Sequence, residues 1–231
     1  MVKAKKSRLP PARPSKLQHY ANIEAVDGGD TEALHKKLRR YTNDWMESSD
    51  ARELSEIFDQ IFAFEPSLSI HKIVCVALGS PSGGSLSTWK QFGCLMDLRN
   101  RFFPTARVIF QDPIFSETDR ALLEELNICV MESPAAFDEI DERTFLFAPH
   151  CEHEQFCDTL DGREIPGLCI TNDAQQYIRN FDIRRVTGVH VGLERIHVAQ
   201  RIEESMRKRE FPGNGRLEWY STVIYSLRSD E

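Results

Sequence analysis

Apolar residues recur along this chain at two different periods. Leu34, Leu38, Tyr41 and Trp45 follow one another at spacings of four, three and four, which places them on one helical face. Leu54, Ile57, Phe58, Ile61 and Phe62 form a second such stripe, and Asp50-Ala51-Arg52-Glu53 reads as a capping box opening that helix. The two stripes need a surface to cover. The sheet predicted next in the chain is the expected one, so this helical hairpin belongs to the main domain.

From residue 72 the pattern changes to short apolar runs separated by helical stretches. Strands are predicted at 73–78, 107–111, 128–131, 144–148 and 168–171. Helices are predicted near 86–102 and 117–126, after 151, and after 173. Ser116-Glu117-Thr118-Asp119 sets an acid at the third position of a capping box. Strands alternating with helices call for a parallel sheet covered on both faces, and right-handed crossovers make it doubly wound. The predicted fold is a three-layer, mostly parallel, Rossmann-like α/β domain over residues 30–231. Residues 193–209 read as a helix, with the Arg201-to-Arg209 charge run as its solvated face. After the breakers Pro212-Gly213-Asn214-Gly215, the aromatic and β-branched run 217–227 reads as a long strand, at a sheet edge or antiparallel between strands.

Composition places the chain among ordinary globular proteins, with 41% apolar and 28% charged residues among 231. No apolar run approaches the ~20 residues of a membrane helix, and the start of the chain lacks the apolar segment of a secretory signal. The cysteines at 75, 94, 129, 151, 157 and 169 are scattered. Cys75, Cys129 and Cys169 fall inside predicted strands, which suits buried thiols in a reducing intracellular compartment better than a disulfide framework. Charge is uneven. Lys3, Lys5, Lys6, Arg8, Arg13 and Lys16 precede the first acid, so the formal net charge of −7 leaves about −13 on the remainder. An acidic body argues against a broad nucleic-acid groove. The arm itself, residues 1–29, reads as a solvated tail and linker, with nucleic-acid contact or a nuclear address as the alternative.

The candidate chemistry lies where predicted strands end. Ile73–Leu78 runs into Gly79-Ser80-Pro81-Ser82-Gly83-Gly84-Ser85 and then a helix, an order that lets small residues bring backbone N–H groups up to a ligand. Gly79, Ser80, Ser82 and Gly83 are the candidate ligand contacts there, although the loop spells neither a dinucleotide fingerprint nor a P-loop. Asp112, at the tip of the next strand, suits a ribose hydroxyl pair or else forms a turn before Pro113. His150 and Cys151 end the following strand, and with His153 they offer a general base, a haem or zinc ligand set, or simply a helix-entry loop. The spacing is not that of a structural zinc site, so no metal ligands are assigned. Asn172, in Thr171-Asn172-Asp173, is either a fourth wall of the same cleft or part of an Asx-type cap. These residues name no reaction and no cofactor.

The same strand ends carry a resemblance. Ala77-Leu78-Gly79-Ser80, Gln111-Asp112-Pro113-Ile114-Phe115, Phe147-Ala148-Pro149-His150-Cys151 and Ile170-Thr171-Asn172-Asp173 resemble the sequential blocks of the SRR-like domain family, named for sensitivity to red light reduced. The likeness covers roughly residues 58–180. It departs from the family pattern at Pro81, at Gly83-Gly84 and at Asn172-Asp173. It implies a cytoplasmic or nuclear protein with a regulatory role, in light signalling and circadian timing or in haem synthesis, acting through protein partners or a small-molecule ligand. A nucleotide-cofactor enzyme, such as an S-adenosylmethionine-dependent methyltransferase, is the alternative reading of the strand, loop and acid layout, and haem or metal binding is a third.

Overall fold

The computed structural model describes residues 30–179 and 196–228, and both amphipathic stripes form the predicted helices. Helix α1 spans Thr31–Met46, and Asp30 caps it by accepting the Glu32 N–H at 2.9 Å. Helix α2 spans Ser49–Phe64. Its cap is Ser48, which accepts the Ala51 N–H at 3.1 Å, so the box expected at Asp50–Glu53 does not form. Asp50 is instead buried in the first turn and takes the Arg216 guanidinium at 2.6 Å. A long-range partner has claimed the side chain that the local pattern assigned to capping.

The remaining elements are strand β1 (Lys72–Val76), helix α3 (Leu86–Phe102), β2 (Arg107–Gln111), α4 (Glu117–Glu125), β3 (Cys129–Val130), β4 (Thr144–Ala148), α5 (His153–Leu160), β5 (Leu168–Asn172), α6 (Ile196–Ser205), β6 (Met206–Glu210) and β7 (Thr222–Leu227). Single 3-10 turns lie at Ala135–Glu139 and Leu217–Trp219. The seven strands form one sheet in the order β3-β2-β1-β4-β5-β7-β6. β1 to β5 are parallel, and β7 runs antiparallel between β5 and β6. The C-terminal run thus takes the interior of the two positions its sequence left open. Its strand is shorter than 217–227, because Ser221 adopts a left-handed φ of 61° just before Thr222.

Alternation along each strand divides the core in two. Ile73, Cys75, Phe110, Phe145, Phe147, Leu168, Ile170 and Ile224 face α1 to α4. Val74, Val76, Ile109, Leu146, Cys169, Val223 and Tyr225 face α5, α6 and the 135–139 turn. Both faces are therefore dry, as a parallel sheet requires. The first face is thicker than predicted. α3 lies on the strands, and α1 lies on α3, where Tyr41 stacks on Trp89 with ring centroids 6.1 Å apart. α2 reaches the sheet itself through Phe58, 6.1 Å from Phe145. No cysteine is in a disulfide, and all but the half-buried Cys129 are buried. No described helix is long and apolar enough to cross a membrane.

One predicted element is corrected. The charge-rich stretch read as helix through 209 turns at Ser205, and Met206–Glu210 is a strand; residues 193–195 lie outside the described residues. Met206 is buried while Arg207 and Lys208 are exposed, an arrangement suited to a sheet margin whose charges discourage further pairing. Pairing with β7 overrides the helical propensity of Arg and Lys.

Gly93 sets the approach of α1 to α3. A Cβ there would lie 2.7 Å from the Tyr41 carbonyl oxygen, which belongs to a helix backbone and cannot swing aside. Gly93→Ala is expected to destabilise the fold by about 1–3 kcal/mol despite its better helix propensity. Urea unfolding of the variant checks this; unchanged stability would mean that the helices are not this close.

Candidate functional site

Because β1, β2, β4 and β5 are parallel, their carboxyl ends share one rim of the sheet, and the amino end of antiparallel β7 joins them. The strand order reverses between β1 and β4, which is where open α/β sheets form a crevice. The predicted 73–78 strand stops at Val76, since Ala77 adopts a left-handed φ of 57° and Gly79 one of 85°. A non-glycine residue held there at a strand exit marks a turn that the surroundings enforce. Thr88, in the first turn of α3, is one enforcer. Its hydroxyl donates to the Leu78 carbonyl at 3.0 Å, and a Cβ on Gly79 would come within 2.7 Å of the same oxygen atom, Oγ1.

The loop after β1 is tied down by two acids. Asp112 accepts the Gly79 N–H at 2.7 Å on one oxygen and the Ile114 N–H at 3.1 Å on the other. Asp119, fully buried at the start of α4, accepts the Ser80 hydroxyl at 2.5 Å and the Ser82 N–H at 2.7 Å. It also closes the capping box expected at Ser116. Ser82 and Ser116 meet at 2.9 Å, and the Gly83 N–H donates to the Ser80 hydroxyl at 3.0 Å. Gly79 and Asp112 thus form one hydrogen-bonded set, and Ser80, Ser82 and Gly83 another around Asp119, adjacent through the Gly79–Ser80 peptide. Burial pushes the Asp112 carboxyl above the usual range, partly offset by the Gly79 and Ile114 N–H groups, and the neighbouring charge of Asp119 adds to the rise.

Residues after β4 and β5 make a second group. Asn172 donates through its side-chain amide to the Cys151 carbonyl at 2.6 Å, linking the ends of these strands. Asp173 supplies the Asx cap, accepting the Gln175 N–H at 3.0 Å. The Cys151 thiol is driven well above its ordinary pKa by burial, with Cys157, Glu152 and then Asp112 adding their charge. His150 is exposed and lies beside the 217–219 turn; partial desolvation there holds its pKa below the ordinary histidine value, against the raising influence of the Leu217 and Glu218 backbone and the Glu218 charge. Among the described residues no three His, Cys, Asp or Glu side chains are grouped to hold a metal ion, and the His153 side chain lies outside them.

Several participants escaped sequence reasoning. Asp119 was visible as a cap but not as the anchor of a loop 37 and 39 residues away. Glu218 pairs with Lys90 at 2.5 Å and accepts the Gln91 side-chain amide on its carbonyl at 2.8 Å, bringing the turn before β7 over α3. The same turn is anchored below by Trp219, with Phe211 at 4.5 Å and Trp45 at 5.6 Å between ring centroids. Beside it a cavity of ≈ 190 Å³ is lined by Tyr41, Trp45, Asp50, Lys90, Arg216 and Glu218, among others. A concavity of ≈ 500 Å³ lies at the opposite rim, among Glu65, His71, Arg143 and Arg228. Neither is lined by Gly79, Asp112, Cys151 or Asn172.

The raised carboxyl of Asp112 has a signed consequence. A folded-state pKa above the unfolded value of ~3.9 means that native Asp112 holds its proton more tightly, so its contribution favours folding at low pH and is lost as pH rises through the folded pKa. The stability of Asp112→Asn relative to the unsubstituted protein is expected to improve between about pH 4 and pH 7. Urea unfolding across that range measures it, and a relative stability that falls over the same interval would reverse the assignment.

Distant likenesses to solved structures are found. A putative O-methyltransferase from Klebsiella pneumoniae is 13% identical with a TM-score of 0.40, over 93% of this chain and 97% of that one. An O-methyltransferase from Bacillus cereus in complex with SAH is 14% identical with a TM-score of 0.40, over 92% of this chain and 96% of that one. A comparison with curated proteins gives no match. The family model of the SRR1 domain matches residues 35–221, from within α1 to the residue before β7, well beyond the 58–180 stretch that holds the motif blocks. The chain belongs to the SRR1 domain family.

Proposed function

We propose that this SRR1-domain protein is a regulatory protein of the cytoplasm or nucleus whose crevice between β1 and β4 takes a nucleoside-bearing ligand. One observation carries the ligand half of this reading. At the point where strand order reverses, the glycine loop of β1 and the terminal acid of β2 are joined through the 2.7 Å bond from Gly79 to Asp112. A ribose diol is the ligand group that a strand-end acid at this position suits, with Asp112 accepting from the hydroxyls. Left-handed Ala77 supports the same placement, since enforced backbone turns gather at binding sites. The regulatory half rests on membership of the family, whose resemblance implies light, circadian or haem-synthesis control through partners.

A second reading is favoured by a specific feature. A sheet of order β3-β2-β1-β4-β5-β7-β6 in which β7 alone runs against β1 to β5 and against β6 is the arrangement of class I methyltransferases. This is analogy at the level of fold, and folds host many activities. Haem or metal held by His150, Cys151 and His153 finds less support. The Cys151 thiol is buried and strongly resists losing its proton.

Thermal unfolding of the full chain with adenosine, S-adenosylmethionine, its demethylated product, ATP and NAD tests the reading. A ligand at about 100 times its dissociation constant adds ~2.7 kcal/mol, about 5–10 °C for a domain of this size. At least one of these ligands is expected to give such a shift, and Asp112→Ala to lose it. No shift with any of the five would overturn the proposal. Conversion of bound S-adenosylmethionine to its demethylated product would move the balance to the methyltransferase reading.

A further inference from the structure

A loop built for phosphate keeps its backbone N–H groups open toward the ligand. In this chain four of them are already used. The Gly79 N–H donates to Asp112 and the Ser82 N–H to Asp119, each at 2.7 Å. The Gly83 N–H donates to Ser80 at 3.0 Å and the Gly84 N–H to the Pro81 carbonyl at 3.1 Å. The Ser80 hydroxyl, an obvious phosphate donor, is spent on Asp119. The nearest charge acting on Asp112 is another acid, Asp119, and both are at least nine-tenths buried, so water screens them little.

One feature opposes this. The first turn of α3 has no side-chain cap from Ser85, so its N–H groups keep their partial positive charge. Magnitude decides between the two. A helix start offers roughly half a unit of positive charge, against the two acidic side chains that hold the loop. A phosphate placed there would meet the two acids and find most of the loop donors occupied.

We infer that the crevice between β1 and β4 selects a nucleoside whose tail is uncharged or positively charged, such as adenosine or a sulfonium nucleoside, and rejects nucleoside polyphosphates and pyrophosphates. The inference rests on the nucleoside reading above and names the ligand class within it. Glycine loops in Rossmann-like sheets serve dinucleotides through their N–H groups; in this chain the acids substitute for the phosphates.

Isothermal titration of the full chain with adenosine, S-adenosylmethionine, ATP and NAD at fixed low salt tests it. Adenosine or S-adenosylmethionine is expected to bind at least about tenfold more tightly than ATP or NAD, because like charges brought together are strongly disfavoured. Added salt should narrow that gap by screening, and Asp119→Asn should narrow it further if the variant folds. Should the variant not fold, the ligand series and its salt dependence on the unsubstituted chain decide alone. ATP or NAD binding as tightly as adenosine would overturn this inference and leave the nucleoside reading standing. Binding by none of the four would overturn both.

Discussion

A parallel sheet must be dry on both faces, and that constraint shapes this protein from end to end. Five consecutive strands lie side by side in one direction, so their backbone groups are satisfied and their side chains must be apolar above and below. One face takes α1 to α4 and the other α5, α6 and a 3-10 turn. Polar groups with work to do are then pushed to the rims, where strands end and loops begin. Gly79, Asp112, Cys151 and Asn172 sit on the carboxyl rim for this reason, and the strand order reverses beside β1.

At that rim, electrostatics takes over from packing. Asp112 and Asp119 carry the loop after β1 much as a bound anion would, each accepting backbone N–H groups at short range. Deep burial would be costly for two carboxylates without these donors. The serines complete the circuit. Ser80 meets Ser82 and Ser82 meets Ser116 at hydrogen-bonding distance, which joins the loop to the start of α4. The arrangement ties the rim of β1 to the helix after β2, and through Thr88 to the helix between them.

How much of this could be read from the chain depends on the range of each interaction. The strands were legible because Ile73–Val76 and Phe145–Ala148 are apolar without interruption, and the helical hairpin because its stripes repeat in step. Asp112 was legible as a strand-end acid, and the Ser116 box as a local pattern. Asp119 as a loop anchor was not, since its partners lie 37 and 39 residues away. β6 was misread because Met206–Glu210 is nearly all charge, which in isolation favours a helix and becomes a strand only when β7 offers its edge. Asp50 shows the same lesson in reverse: a good local cap was taken by Arg216, 166 residues on.

The antiparallel placement of β7 has a consequence for assembly. β6 pairs with β7 among the described strands, and β7 is what joins it to β5. β6 and β7 therefore dock as a hairpin, and neither can be seated stepwise from the growing side of the sheet. Until residues 222–227 arrive, β5 presents an unpaired margin and Val223 and Tyr225 are missing from the second face. The earlier strands pair among themselves, yet the margin of β5 is covered only by the hairpin that follows them in the chain.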